Sequence, residues 1–432
     1  MSKLYALLTV VLPILVVVGL IQLILLIVRA HLRARVNFVI FGVLAFASIR
    51  PNLLGETFGI IGPFYFFILL KLSKSLNPEF QVNSKIFTKA RSTLFGMYLI
   101  LFSYWCYVGF ISSLNNYDFN AWPPIANLGT IALDSYFLLQ IFKNGCAPRL
   151  MEVFIMTVSF QAGACLFSKY LLSYNYCLPF NIGRGWDYSL CAPGAIYSLG
   201  TRLTGFGGEP SIFATYLSLT LVMVWWPQFK FNVYQSLFVS SVCAWASLVS
   251  KSTTGITLIM LAILLIPFQR ITLRKGPFIL VSYSAVAYYL LSTNIVQRTF
   301  DRIITDKLKS NSGSITDRSL NLTLTDYLTR WTEYPFGHAW GIYGDKFARS
   351  INLLADSLQF GPIVILLMIL LMCLAILYSR EPVQLTSACI LIFTTCLLLQ
   401  PTWLNSIWFI LIYSNFLAIQ EKSISTVTQL SK

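Results

Sequence analysis

Long apolar runs broken by short charged stretches set the layout of the chain. They fall near 4–28, 37–49, 53–70, 93–112, 126–142, 150–168, 210–227, 232–249, 254–268, 276–292, 353–378, 384–400 and 402–418. Most approach the roughly 20 residues that let an α-helix cross a bilayer core. In lipid every backbone N–H and C=O must bond within the chain, so only helices or closed barrels qualify. Continuous runs without the two-residue alternation of barrel strands select helices. The pattern therefore predicts an all-α, polytopic transmembrane bundle of about 12–13 spans, with residues 1–432 forming one integral membrane domain. The run Leu4–Ile27 lacks a cleavage site and reads as a retained first helix.

Two long polar segments interrupt this series, 169–209 and 293–352. Structureless stretches of that length are more often functional than incidental. The second contains the flexible tract Asn311-Ser312-Gly313-Ser314 and then a helical pattern. There Leu324, Tyr327, Leu328 and Trp331 share one face, with Asp326 and Arg330 on the other, as expected of a helix lying at the membrane interface or over the bundle.

Composition supports the same class. Hydrophobic residues make up 56% of the chain and charged ones 11%, against about 25% charged in an ordinary soluble domain. The mean hydropathy of +0.71 is more apolar surface than one soluble core can hide. The 31 basic and 16 acidic residues give a formal charge of +15, which in a soluble chain would suggest nucleic acid. Here the cations cluster in alternate short loops: Arg29, Arg33 and Arg35; Lys71, Lys74, Lys85, Lys89 and Arg91; Lys143 and Arg149; Lys230; Arg270, Arg274 and Lys275; Arg380. The positive-inside rule makes those loops and the C-terminus cytoplasmic, and 169–209 and 293–352 extracytoplasmic, with no nucleic-acid partner implied. Most of the nine cysteines fall inside apolar runs, where the thiol behaves as a small hydrophobe. Cys177 and Cys191 share a polar loop. A bridge there, open on sequence grounds in an oxidising compartment, would stabilise by roughly 3 kcal/mol.

Candidate chemistry lies on the outer side. Thr201-Arg202-Leu203-Thr204-Gly205-Phe206-Gly207-Gly208-Glu209-Pro210 leads into the run at 210–227. Pro210 suits a first helical turn, Glu209 suits the cap beside the positive end of the helix dipole, and Arg202 can fork onto phosphate. A capped helix with a flexible approach explains the same residues. Ser250-Lys251-Ser252-Thr253-Thr254-Gly255 is a polar notch between two runs, or simply a tight hairpin. The larger loop carries Arg298 and Arg318, then Pro335-Phe336-Gly337-His338 with Gly341 and Gly344; His338 is one of two histidines and either structural or a proton carrier. Asp356 opens the next run, while Asp134, Glu56 and Glu152 lie in or beside apolar runs, where a carboxylate is costly. Asp-x-Asp, phosphate-loop and paired-histidine zinc motifs are missing from the sequence, so neither a metal nor another cofactor is expected. A phosphate leaving group would then need arginine or lysine to neutralise it.

Arg202-Leu203-Thr204-Gly205 with Glu209-Pro210, the Ser/Thr-rich notch at 250–255, Arg318 with Pro335-Phe336-Gly337, Gly341 and Gly344, and Asn352 through Asp356 to Gly361 together resemble the bacterial O-antigen polymerase and O-antigen ligase superfamily. The motif resemblance covers roughly 200–361; elsewhere it is one of hydropathy. Ile351 stands where ligases usually carry the histidine of a His-Asn pair, which favours the polymerase branch. The resemblance implies a protein of the bacterial inner membrane that joins lipid-linked repeat units of O-antigen or capsule at the periplasmic face. The donor and acceptor would be glycans on polyprenyl (undecaprenyl) pyrophosphate, with a chain-length regulator as a further partner. Arg202 and Arg318 would bind the pyrophosphate, with Lys251, Arg298 and Asp356 as secondary candidates. Glu209 or His338 would assist the acceptor hydroxyl; a carboxylate at a helix N-terminus is a weak base, so Glu209 would alternatively orient Arg202. The remaining alternatives are the ligase, which moves finished glycan to lipid A-core, and a transporter or flippase of lipid-linked sugars.

Overall fold

The computed structural model describes residues 30–48, 61–76, 122–174, 210–227, 231–249, 253–270, 324–336, 353–378 and 382–398, with shorter pieces at 92, 99, 102–103, 106–107, 110, 180–181, 185–186 and 229. These residues are helical apart from turns and a two-residue antiparallel ladder, β1 (Phe180–Asn181) with β2 (Gly185–Trp186). The helices are α1 (Ala30–Ser48), α2 (Ile61–Leu76), α3 (Trp122–Lys143), α4 (Ala147–Ser173), α5 (Pro210–Met223), α6 (Val233–Val249), α7 (Thr253–Leu265), the single turn α8 (Pro267–Arg270), α9 (Leu324–Glu333), α10 (Leu353–Phe360), α11 (Ile363–Tyr378) and α12 (Pro382–Leu398). The expected runs at 4–28, 276–292 and 402–418 lie outside the described residues.

α5 is the hub. It packs on α4, α6, α7 and α12, while α1 joins α2 to α4, and α3 packs on α2. Its sequence has no polar stripe, and Phe213 through Val224 are all buried. Its small hydroxyl residues Thr215, Ser218 and Thr220 are buried with the apolar ones, so the helix is enclosed on all sides. Close approach of α1 to α4 depends on Gly42, where a Cβ would lie 2.8 Å from Val153 Cγ1. Small residues at such crossings let backbones pack tightly.

Polar side chains mark the helix joints. Asn232 and Gln235 form a reciprocal cap at the start of α6: the Gln235 N–H donates to Asn232 Oδ1 (2.8 Å) and the Asn232 N–H to Gln235 Oε1 (3.0 Å). Ser236 Oγ donates to the Val224 carbonyl (3.0 Å), and Trp225 Nε1 to Ser240 Oγ (2.9 Å), tying the end of α5 to the start of α6. Asn144 Nδ2 donates to Ser73 Oγ (2.7 Å), fixing the α3–α4 corner, with Gly145 at φ 70°, against the end of α2. Gln269 Nε2 donates to Ser387 Oγ (2.6 Å), joining α8 to the start of α12.

Several boundaries differ from the sequence expectation. α4 runs through Ser173, so the first polar segment begins after 173 rather than at 169. α1 begins at Ala30, before the apolar run, because Ala and Arg are good helix formers and hydropathy marks only the apolar part of a helix. The single run expected at 353–378 is broken into α10 and α11. Gly361 adopts φ 81°, a left-handed stop, and Pro362 cannot continue α10. Pro267 likewise separates α7 from α8. Among the described residues one helix segment, Pro148–Leu171, is long and apolar enough to cross a membrane by length and composition; Phe213–Met223, Val233–Val249, Gly255–Leu265 and Val383–Leu397 are shorter apolar helices.

Large apolar side chains face outward as well as into the core. Phe160, Phe167, Tyr170 and Tyr174 form an exposed stripe along α4, and Tyr234, Phe238 and Trp245 along α6. Asp134, Gln161, Ser218, Thr220, Gln384 and Thr395 are buried.

Candidate functional site

The joints define two ends of the bundle. The Ser236–Val224 bond puts the end of α5 beside the start of α6, so Pro210 and Val249 sit at the opposite end. Lys169 Nζ donates to the Val249 carbonyl (3.5 Å), bringing the last turns of α4 to that end. The lysine satisfies a terminal helix carbonyl and meets the negative end of the α6 dipole. Only residues 250–252 separate α6 from α7, which begins there too. The Gln269–Ser387 bond starts α12 at the far end, so α11, joined to it through 379–381, begins at the near end with Ile363.

The helix ends that flank the candidate segments therefore gather at one end. They are the start of α5 after Glu209, the α6–α7 junction around Lys251, and the α10–α11 junction. Arg202, Glu209, Lys251, Arg298, Arg318 and His338 themselves lie outside the described residues, as do Cys177 and Cys191; Asp356 lies within α10. Lys71, Lys74, Lys143 and Arg149 sit on the opposite end, around the α3–α4 corner. Among the described residues these four cations thus share one end, while Lys169 stands at the other.

The helix between Arg318 and His338 is well defined. α9 docks on α10 through Tyr327, which is buried, and Trp331, whose Nε1 donates to Ser357 Oγ (3.0 Å). Burial pushes the Tyr327 phenol above its ordinary pKa, and the charge of Arg330 partly offsets the rise. Leu328, expected on the same apolar face, is exposed, so only part of that face is covered. At the end of α9 the Tyr107 hydroxyl donates to the Phe336 carbonyl (3.4 Å), and the two rings meet edge-on with centroids 6.1 Å apart.

No protein-family model, curated protein or solved structure matches this chain.

Lys169, Tyr107 and Ser357 were not singled out by sequence reasoning. Lys169 closes an apolar run and could have been noticed as a cation within what folds as helix. Tyr107 and Ser357 carry no local signal; their roles come from partners distant in sequence or from packing.

Proposed function

We propose that the chain is a polytopic inner-membrane glycosyltransferase that polymerises lipid-linked repeat units of O-antigen or capsule on its extracytoplasmic face. The observation that carries this reading is the gathering of the helix ends that flank the arginine-, lysine- and histidine-bearing segments at one end, opposite the basic end. The exposed aromatic and aliphatic stripes with polar groups inside support a lipid surround, and the resemblance across 200–361 supports the chemistry. The acceptor's sugar hydroxyl attacks the anomeric carbon of the donor. The new glycosidic C–O bond forms with inversion as the bond to pyrophosphate breaks, and polyprenyl pyrophosphate leaves. Glu209 or His338 takes the hydroxyl proton, while Arg202 and Arg318 neutralise the departing charge. Lys251, Arg298 and Asp356 are supporting candidates, and a chain-length regulator is a proposed partner.

Deletion of the gene in its host is expected to leave single repeat units on the surface lipid, because export and ligation persist. Loss of all attached repeats on a gel of surface glycans would point instead to a ligase or flippase. For orientation, cysteines introduced at 293–352 should react with an impermeant thiol reagent applied outside intact cells, and those at 71–92 should not. The reverse pattern would overturn the placement of every candidate.

A further inference from the structure

The junction between α10 and α11 holds the end of α9 from three directions. Ser357 is buried, and its hydroxyl is used twice: it donates to the Leu354 carbonyl (2.6 Å) and accepts from Trp331 Nε1 (3.0 Å). Gly361, at φ 81°, passes directly beneath the next turn, where a Cβ would run into the Pro335 carbonyl oxygen and come within 3.1 Å of Phe336 Cα. Tyr107 closes the third side from a position 229 residues earlier in the chain. We infer that Tyr107, Ser357 and Gly361 are positioning residues that hold the Pro335–Phe336 turn in one register on the α10–α11 junction, and so fix the point from which Gly337-His338 departs. The catalytic consequence rests on the glycosyltransferase reading; the docking does not.

The contacts are directional rather than bulky. Among the described large apolar side chains of α9 and its turn, Leu328, Tyr334 and Phe336 are exposed, and Tyr327 is buried. A helix held by so little apolar area is located by its few specific contacts. Losing one should therefore shift α9 without unfolding the bundle around α5, whose core lies elsewhere. The same argument separates a positioning role from a merely structural one. A loosened turn displaces a reacting group relative to the substrate and lowers turnover, whereas binding of a lipid-linked glycan through other contacts persists.

The test uses the full-length protein in nanodiscs, comparing Gly361→Ala, Ser357→Ala, Tyr107→Leu and Tyr107→Phe with the wild type. Hydrogen–deuterium exchange over 324–336 should accelerate about tenfold in Gly361→Ala, since alanine disfavours the left-handed region, while 213–224 stays protected. In assays with lipid-linked repeat units, kcat should fall about tenfold with KM for the acceptor little changed. Ser357→Ala and Tyr107→Leu should follow in the same direction, and Tyr107→Phe, which keeps the ring contact but loses the hydrogen bond, should fall between Tyr107→Leu and the wild type. Accelerated exchange with unchanged kcat would overturn the positioning role. Unchanged exchange in an active, well-folded Gly361→Ala protein would overturn the docking. A wild-type protein unable to extend lipid-linked repeats would overturn the glycosyltransferase reading and the kinetic consequence with it, while the exchange measurement still decides the docking.

Discussion

Arg202→Ala and Arg318→Ala are each expected to reduce polymerisation about a hundredfold while the protein stays inserted and monodisperse. Removing one well-placed donor to a developing negative charge typically costs about 3 kcal/mol of barrier. No metal-binding motif shares that load in this sequence, and both arginines stand beside polar motifs read as extracytoplasmic. Lysine should rescue each position only in part, since it keeps the charge but loses the planar two-pronged contact with phosphate oxygens. If the arginines merely paired with nearby carboxylates such as Glu209 or Asp317, the substitutions would lower yield rather than turnover. Purified variants assayed with lipid-linked repeat units, with yield and size-exclusion profile measured alongside, distinguish the two. Near wild-type turnover in well-folded variants would remove the pyrophosphate clamp.

Phe160→Asp should be nearly as damaging to accumulation of the protein as a charge in its core, although Phe160 is among the most exposed side chains described. Phe160 lies at the middle of Pro148–Leu171. An aspartate at the centre of a membrane helix costs about 2.5–3.5 kcal/mol on the insertion scale, and its short side chain cannot reach the headgroups. On a water-exposed surface the same change would stay within about 0.5 kcal/mol. The contrast is read by membrane-fraction yield and thermal stability in nanodiscs, with Phe160→Leu as the neutral control. A Phe160→Asp protein with normal yield and melting temperature would count against a lipid surround for α4.

Much of the helical layout was legible because apolar runs are local. α3, α6 and α12 fall within a few residues of the runs at 126–142, 232–249 and 384–400. That α5 is central was not legible, because the still more apolar α11 leaves Leu366, Ile369 and Leu370 exposed. The division at Gly361-Pro362 was hidden by the apolar residues on either side. Hydropathy does not register a left-handed glycine, although the Gly-Pro pair was there to be weighed. Leu328 shares its helical face with Tyr327 and Trp331 but is exposed, which the pattern allowed by leaving the membrane interface open beside packing on the bundle. The candidates Arg202, Glu209, Lys251, Arg298, Arg318 and His338 remain readings of motif and charge, since only the helix ends around them are described. The Tyr107–Phe336 contact spans 229 residues, and no periodicity or composition can reveal a pair that exists only through the tertiary arrangement.

The brevity of the central helices has a consequence for the bilayer itself. The described parts of α5 and α7 have 14 and 13 residues, so they extend about 21 and 20 Å, against a hydrocarbon thickness of about 30 Å. On the proposed membrane reading these helical parts alone fall short of the bilayer core. Lipids and backbone must accommodate the shortfall by local thinning or by continuing the span with residues beyond the helix ends. A thinned annulus shortens the distance from the headgroup plane to the ends of α5 and α7, and so lowers the cost of bringing a charged pyrophosphate down to them. On that reading, activity is expected to depend on the acyl-chain length of the host membrane, independently of any side chain that touches the substrate.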